Sequence, residues 1–412
     1  MERLYGRVAG IDVSRDFLDV HIRVPGLDGE IKRNYKRFST MTVGLGECGD
    51  WLVEHGVELA VMEATGMYWR AAYYALESRI ANVWVLNAHH VKNVPGRKTD
   101  MADAEWLADV AAHGMVLASF IPPAPIRELR ELTRFRSTVV QERSRAVCRI
   151  DKMLQDAGIK VTSVASCVLG VGTREMFELL IAGQRDPSKL AACAKGRMRS
   201  KIDELTKALA GNFGDHHAMV IKSILQQVDL FDTQIDELNQ AIDVRLEPYR
   251  ESEERIVTIP GVANRVAQCV ISEIGTDMSK FKTPGHLSAW AGLAPANKES
   301  GGKRRNAGSR KGDPHLKTIL VQAAWAAVRV EGSYYGSMFR RIRARRGPNV
   351  AIVAVARKLI EAVWHVLTNQ IDHKDLGADY QERRHNPEIQ IRRLAARIEA
   401  FGMKVSIEPA TA

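Results

Sequence analysis

Near the N-terminus, apolar positions recur with the short period of strands in three stretches: 6–13 (GRVAGIDV), 17–24 (FLDVHIRV) and 31–39 (IKRNYKRFS). Short polar turns join them, including Pro25-Gly26 and Asp28-Gly29, so three antiparallel strands are predicted. The period then switches between helix and strand. A helix is predicted over 41–55, a strand over 57–64 (VELAVMEA), a helix over 67–79, a strand over 82–88 (NVWVLNA) and a helix over 101–113. The order β-β-β-α-β-α-β-α defines an α/β N-terminal domain.

Residues 126–157 carry a long charged helical pattern in which Leu132, Val139, Ala146 and Met153 recur every seven residues, beside Val140, Val147 and Leu154. A second series steps alternately by three and four: Ile221, Ile224, Val228, Phe231, Ile235, Leu238 and Ile242. Two long coiled-coil helices are expected, paired within one chain or between chains. From about residue 254 short helices alternate with Pro-Gly turns, a Gly/Lys/Arg-rich loop spans 297–313, and helices continue to about 370. Four regions follow: an α/β domain over 1–125, a helical coiled-coil or dimerisation region over 126–250, a mainly α domain over 251–376, and a charged tail over 377–412. The tail's Ile389, Ile391, Leu394 and Ile398 predict one amphipathic helix.

With 412 residues, 45% of them hydrophobic, the chain has material for two or three domains with a sizeable core. The balance of 59 Lys+Arg against 49 Asp+Glu, a net charge of +10, favours polyanions such as nucleic acid. Its five cysteines (Cys48, Cys148, Cys167, Cys193 and Cys269) are odd in number and lack CxxC spacing, which argues against zinc and against a disulfide framework. No signal-peptide stretch is visible, and no apolar run approaches the roughly 18 residues that cross a bilayer. A reducing cytoplasm, without membrane partners, is the expected setting.

Asp12 closes the first apolar strand in Gly-Ile-Asp-Val-Ser, and Glu63 closes the fourth in Met-Glu-Ala-Thr-Gly. Asp100 and Asp103, in Lys-Thr-Asp-Met-Ala-Asp-Ala, are three residues apart and share one side of a helix start. Singly, each acid fits an ordinary turn, strand end or helix cap. Together, at the strand ends of this topology, they fit a metal-binding nuclease site, because a pair of hard divalent cations offsets the repulsion of crowded carboxylates. Mg²⁺ is the natural candidate, and two ions about 4 Å apart support phosphoryl transfer. Asp16, Asp19 and Glu105 suit solvated faces, and Lys98 is a solvated or phosphate-contacting cation.

In the C-terminal region, Ile-Pro-Gly-Val-Ala at 259–263 before a helical pattern reads either as the hairpin of a helix-hairpin-helix or as a plain turn. The loop that follows places Ser300 before Gly301 and Gly302 and among the cations Lys303, Arg304, Arg305, Arg310 and Lys311. A serine there can attack phosphorus, although from chemistry alone it is more often a phosphate-contacting hydroxyl, and Ser309 is a rival in the same loop. The loop lacks GxxxxGK[ST] order and is no Walker A site. A second basic run, Arg340, Arg341, Arg343, Arg345 and Arg346, follows Tyr334, Tyr335 and Phe339, an arrangement suited to backbone charge plus base stacking.

Taken in order, Gly-Ile-Asp-Val-Ser, Met-Glu-Ala-Thr-Gly, Lys-Thr-Asp-Met-Ala-Asp-Ala, Ile-Pro-Gly-Val and Ala-Gly-Leu-Ala-Pro through Ser-Gly-Gly-Lys resemble the DEDD transposases of the insertion-sequence family numbered one-hundred-and-ten, relatives of the pilin-gene invertases. The resemblance covers roughly residues 7 to 370. It implies an RNase H-like, RuvC-like N-terminal domain with Asp12, Glu63, Asp100 and Asp103 as its metal-binding tetrad, and a C-terminal transposase domain with Ser300 as nucleophile. It implies one composite site for strand cleavage and exchange of donor and target DNA. A structured bridge RNA as guide, and dimers assembling to a tetramer in a prokaryotic, nucleoid-associated setting, are implied as well. A site-specific invertase or a structure-specific nuclease would use the same domains. The tail after residue 376 departs from the family pattern.

Overall fold

In the computed structural model the chain divides into two units, Met1–Ile121 and Pro122–Ala412. The structure describes residues 4–26, 30–64, 66–87, 103–296, 298–300, 303–305, 308–309, 311–380, 383 and 387–406, with the backbone alone at 298–300, 303–305, 387–390 and 393.

The first unit is built on a five-stranded mixed sheet in the order β3-β2-β1-β4-β5. Its strands are β1 (Val8–Val13), β2 (Phe17–Pro25), β3 (Ile31–Ser39), β4 (Leu59–Glu63) and β5 (Asn82–Leu86). β1, β2 and β3 pair antiparallel, whereas β4 lies parallel to both β1 and β5. β1 and β4 are almost wholly apolar because they are central and covered on both faces. β3 buries only Phe38 and otherwise shows Lys, Arg and Asn, the composition that protects an exposed sheet edge.

Helices α1 (Thr42–Glu54) and α2 (Trp69–Leu76) pack on one face through Leu45, Leu52, Ala72 and Leu76, over Ala9, Ile11, Ala60 and Met62. Helix α3 (Asp103–Ala112) covers the other, packing Leu107, Ala108 and Ala111 on Val8, Leu59, Val61 and Leu86. Every fully buried Leu or Ile here contributes about 1.5–3 kcal/mol relative to exposure.

The second unit is helical. Its axis is an antiparallel pair, α4 (Ala124–Asp156) and α8 (Asp215–Leu246). Arg143 meets Asp232, Arg136 meets Asn239 and Arg245 meets Glu128, a ladder that fixes the antiparallel register within one chain. Between these helices the chain forms α5 (Val171–Ile181), α6 (Pro187–Ala191) and α7 (Ile202–Ala208). Phe177, Leu180, Leu190 and Leu205 of this insert share one core with Ala146, Ile150 and Leu154 of α4 and with Ile221, Ile224 and Val228 of α8. Three positions of the second heptad series therefore serve a globular core rather than a continuous seam.

The remainder comprises α9 (Arg250–Val257), α10 (Asn264–Ile274), α11 (Pro284–Trp290), the hairpin β6 (Lys298–Ser300) and β7 (Lys303–Arg305), α12 (Pro314–Ala327), α13 (Tyr334–Arg346), α14 (Pro348–Asn369) and α15 (Pro387–Glu399). α14 buries a residue at nearly every turn, from Ala351 to Leu367, and α9, α11, α12 and α13 pack around it. Among the described residues no helix is long and apolar enough to cross a membrane.

Candidate active site

The acidic site begins with a glycine. A Cβ on Gly10 would stand 1.8 Å from the Ala104 carbonyl oxygen and 2.8 Å from the Ala108 amide nitrogen, so the backbone of α3 lies directly on β1. Asp12, two residues further along the strand, shares the face of Gly10. Ile11 is in register with Met62 in the parallel pair, which makes Asp12 and Glu63 the next neighbours across β1 and β4. Asp103 is the first residue of α3, where the helix dipole favours a carboxylate. Thus Asp12, Glu63 and Asp103 occupy one face of the sheet at the C-terminal ends of two parallel strands, all three half-buried. Asp100 and Lys98 lie outside the described residues.

Antiparallel pairing extends this row. Asp19 stands opposite Asp12 on β2, and Arg37 stands opposite Asp19 on β3. Arg37 donates to both Asp19 oxygens at 2.8 and 3.0 Å, and the Tyr35 hydroxyl donates at 2.5 Å. Burial opposes the Asp19 charge, but the Arg37 and Tyr35 contacts outweigh it and hold its carboxyl below the usual carboxylate range. Asp19 is therefore not a bystander: it lies beside Asp12 with its charge already matched. The register across β1 and β2 is the signal that locates it. α3 is held to the sheet by further pairs: Arg23 to Asp109 at 2.8 Å, Arg33 to Asp109 at 3.2 Å and Arg33 to Glu105 at 3.0 Å. Glu105, expected on a solvated face, is thus part of the helix's attachment.

The serine loop is anchored from below. Ser300 ends β6 and pairs in register with Lys303, while Lys298 pairs with Arg305. Gly301 and Gly302, which follow Ser300 in sequence, lie outside the described residues, as does Arg310. At the loop base Pro295 bridges to Ser309, and Ala296 donates to the Gly308 carbonyl at 2.9 Å. Gly312 abuts Gly292, where an added Cβ would come within 2.2 Å of the Gly292 nitrogen, which accounts for a glycine in the Lys-Gly-Asp end of the loop.

Asp313 then caps α12 by accepting from the Leu316 N–H at 2.9 Å, and its other oxygen accepts from Arg134 at 2.7 Å. Arg134 grips Glu273 with two bonds of 2.7 and 2.8 Å, and Arg130 adds a contact at 3.0 Å. Glu273 is buried. Burial works against the Arg134 charge, but Glu273 and Asp313 more than restore it and raise its pKa. Ser309 is exposed and its hydroxyl accepts from the Lys317 ammonium at 2.6 Å, a partnership across eight residues that periodicity did not reveal.

Other expectations need adjusting. Tyr335 and Phe339 are buried in the helical core, so they are not surface platforms for bases; the aromatic residues mark the apolar side of α13. Arg340, Arg341 and Arg343 are exposed on that helix, and Lys311 is exposed in the loop. Gly261 of the Ile-Pro-Gly-Val turn takes φ 81° and packs on α12, with the Ala327 nitrogen 2.4 Å from a would-be Cβ. That turn is a packing element between α9 and α10.

Comparison with known proteins gives the family. Residues 9–159 match a family of DEDD transposases of the IS110 type, and residues 253–337 match a second family described as transposases of the IS116/IS110/IS902 family. A transposase for insertion sequence element IS1111A from Coxiella burnetii is 25% identical over 377 residues, covering 88% of this chain and 90% of that protein. A probable family 20 transposase from Pseudomonas aeruginosa is 25% identical over 319 residues, covering 76% and 84%. A 42 kDa protein of insertion element IS900 from Mycobacterium paratuberculosis is 27% identical over 288 residues, covering 66% and 71%. Together these families and relatives mark the chain, with its α/β domain followed by a helical region, as a DNA-processing enzyme, a transposase. The chain belongs to the IS110 family of DEDD transposases.

Proposed function

We propose that the protein cleaves and exchanges strands of an insertion sequence through a metal-binding acidic site and a serine nucleophile, guided by a structured bridge RNA. The observation that carries this reading is the placement of Asp12, Glu63 and Asp103 on one sheet face where α3 rides on Gly10. The strand order β3-β2-β1-β4-β5, with β4 parallel to β1, supports an RNase H-like, RuvC-like assignment for residues 1–125. Residues 126–250 then form the helical, dimerising region, residues 251–376 the transposase domain, and residues 377–412 an appended tail.

The oxygen-only donor set of Asp12, Glu63, Asp100 and Asp103 suits Mg²⁺, which the family's chemistry calls for as a divalent cation. Two such ions would supply charge stabilisation for phosphoryl transfer. Ser300 attacks phosphorus with its hydroxyl oxygen: the serine O–P bond forms, the scissile P–O bond breaks, and the serine proton is balanced by protonation of the departing strand's oxygen. Attack by the hydroxyl of another strand reverses these bonds, so no external energy source is required. Lys303, Arg304, Arg305, Arg310, Lys311, Arg340, Arg341 and Arg343 neutralise phosphates of donor and target DNA. A dimer assembling to a tetramer brings an acidic face and a serine loop into one composite site.

The test incubates purified protein, with RNA from cells carrying its flanking DNA, with labelled donor and target DNA and Mg²⁺. A protein-linked DNA adduct on a denaturing gel is expected for wild type, and is expected to vanish with Ser300→Ala, with Asp12→Asn and on chelation. Cleavage that proceeds without any adduct in wild type would overturn the serine reading and leave a structure-specific nuclease. Inversion of a fixed segment would instead identify an invertase.

A further inference from the structure

Helices α4, α10 and α12 line a half-open cavity of about 610 Å³, within the roughly 300–1,000 Å³ usual for ligand sites. Its charges do not balance. Arg134, Arg136 and Arg265 line it together with a single carboxylate, Glu273. That carboxylate is already engaged by Arg134 and Arg130.

Arg136, by contrast, donates from Nε to a neutral amide, the Asn239 Oδ1, at 2.5 Å. Arg265 donates to the Gln268 Oε1 at 2.7 Å and stands 3.9 Å from Asp243. Burial, and after it the like charge of Arg265, lower the Arg136 pKa; Cys269 and Asp243 oppose this without cancelling it. The N-terminus of α12 borders the cavity at Pro314 and His315, but the Asp313 carboxylate has already satisfied that helix end. The excess positive charge thus belongs to the arginine pair, whose two guanidiniums share one counter-charge, Asp243. Two guanidiniums with mainly neutral hydrogen-bond partners, in a concave site, match an anion of delocalised charge such as a phosphodiester.

We propose that this cavity seats a phosphodiester of a nucleic-acid strand, held by Arg136 and Arg265. The proposal rests on the chain acting on nucleic acid, and adds a binding site outside the acidic face and the serine loop. Because α12 starts where the loop ends, a strand seated here is held beside that loop. DNA and RNA share the phosphodiester chemistry, so both serve as probes.

The experiment measures binding of the full chain to a short labelled DNA duplex and to a labelled single-stranded RNA at several salt concentrations. The variant Arg136→Gln/Arg265→Gln is expected to bind at least one probe about tenfold more weakly. Its log–log salt slope should be shallower by about one phosphate contact. Arg136→Lys/Arg265→Lys should keep the slope. Arg136 also ties α4 to α8, so Thr318→Glu is the second variant: it sets a negative charge in the same cavity from an exposed helix position and should weaken binding similarly.

A loss confined to DNA or to RNA identifies the source and supports the site. Wild-type affinity and slope for both probes in Thr318→Glu and in a folded glutamine variant would overturn it. Ser300→Ala separates the two readings, because it should bind with the wild-type slope whatever becomes of the adduct.

Discussion

Replacing Gly10 by Ala tests whether the contact between β1 and α3 sets the acidic site. The new Cβ would lie 1.8 Å from the Ala104 carbonyl oxygen, whereas real contacts stay beyond 3.0 Å, so α3 has to retreat by more than 1 Å. All three obstructing atoms are backbone, which means that the helix moves as a whole and takes Asp103 away from Asp12 and Glu63. Overpacking of this kind costs about 1–3 kcal/mol of stability. A misplacement of about 1 Å at a catalytic constellation costs on the order of a hundredfold in rate. The assay is the initial rate of adduct formation at saturating DNA and Mg²⁺, alongside a urea melt. Gly46→Ala is the matched control: Gly46 lies inside α1 with nothing within 4 Å of its would-be Cβ, and the change should stabilise by about 1 kcal/mol and leave the rate alone. A Gly10→Ala protein that forms adduct at the wild-type rate would refute the argument that α3 is placed by this contact.

Two further outcomes follow from buried charge. Glu273→Gln removes the carboxylate that binds Arg130 and Arg134 and should cost about 3 kcal/mol in a denaturant melt, a value at the low end for breaking a buried pair because Asp313 still meets Arg134; an unchanged melt would show that the network contributes nothing. His373 stacks on Tyr335 with 6.0 Å between ring centres, and burial lowers its pKa against the opposing pull of Asp375. The unfolded chain therefore takes up this proton more readily than the folded one. Its contribution is complete above the unfolded value of about 6.5 and is lost as pH falls from there toward the lower folded value. Unfolding free energy measured between about pH 7 and pH 5 should decline, and His373→Gln should flatten that decline.

The N-terminal domain was legible because its strands and helices each keep one period. β1 and β4 are continuous apolar runs that end in acids, and both ends matter, since the same register that buries Ile11 and Met62 sets Asp12 beside Glu63. The insert between α4 and α8 was hidden for the opposite reason. Ile221, Ile224 and Val228 fit a heptad, yet they close a core with Phe177 and Leu190, and a linear pattern does not say which partner an apolar face meets. Tyr335 and Phe339 misled similarly: aromatics beside arginines suggest base stacking, but on α13 these two aromatics are buried while the arginines are exposed. Asp19 required knowledge of its cross-strand neighbour, and the Arg134–Glu273–Asp313 network joins residues far apart in sequence.

One consequence of the paired helices concerns length. Arg134 of α4 is tied into the base of the serine loop and Ile150 into the insert's core, and the 16 residue steps from one to the other span about 24 Å of uninterrupted helix. α8 runs back alongside under a ladder of matched contacts, so a residue gained or lost in one helix alone would throw every later rung out of step. The separation of loop and insert is thus a quantised property of the chain: it can change only by edits made in both helices at once and in whole turns, and between such edits the pair acts as a ruler.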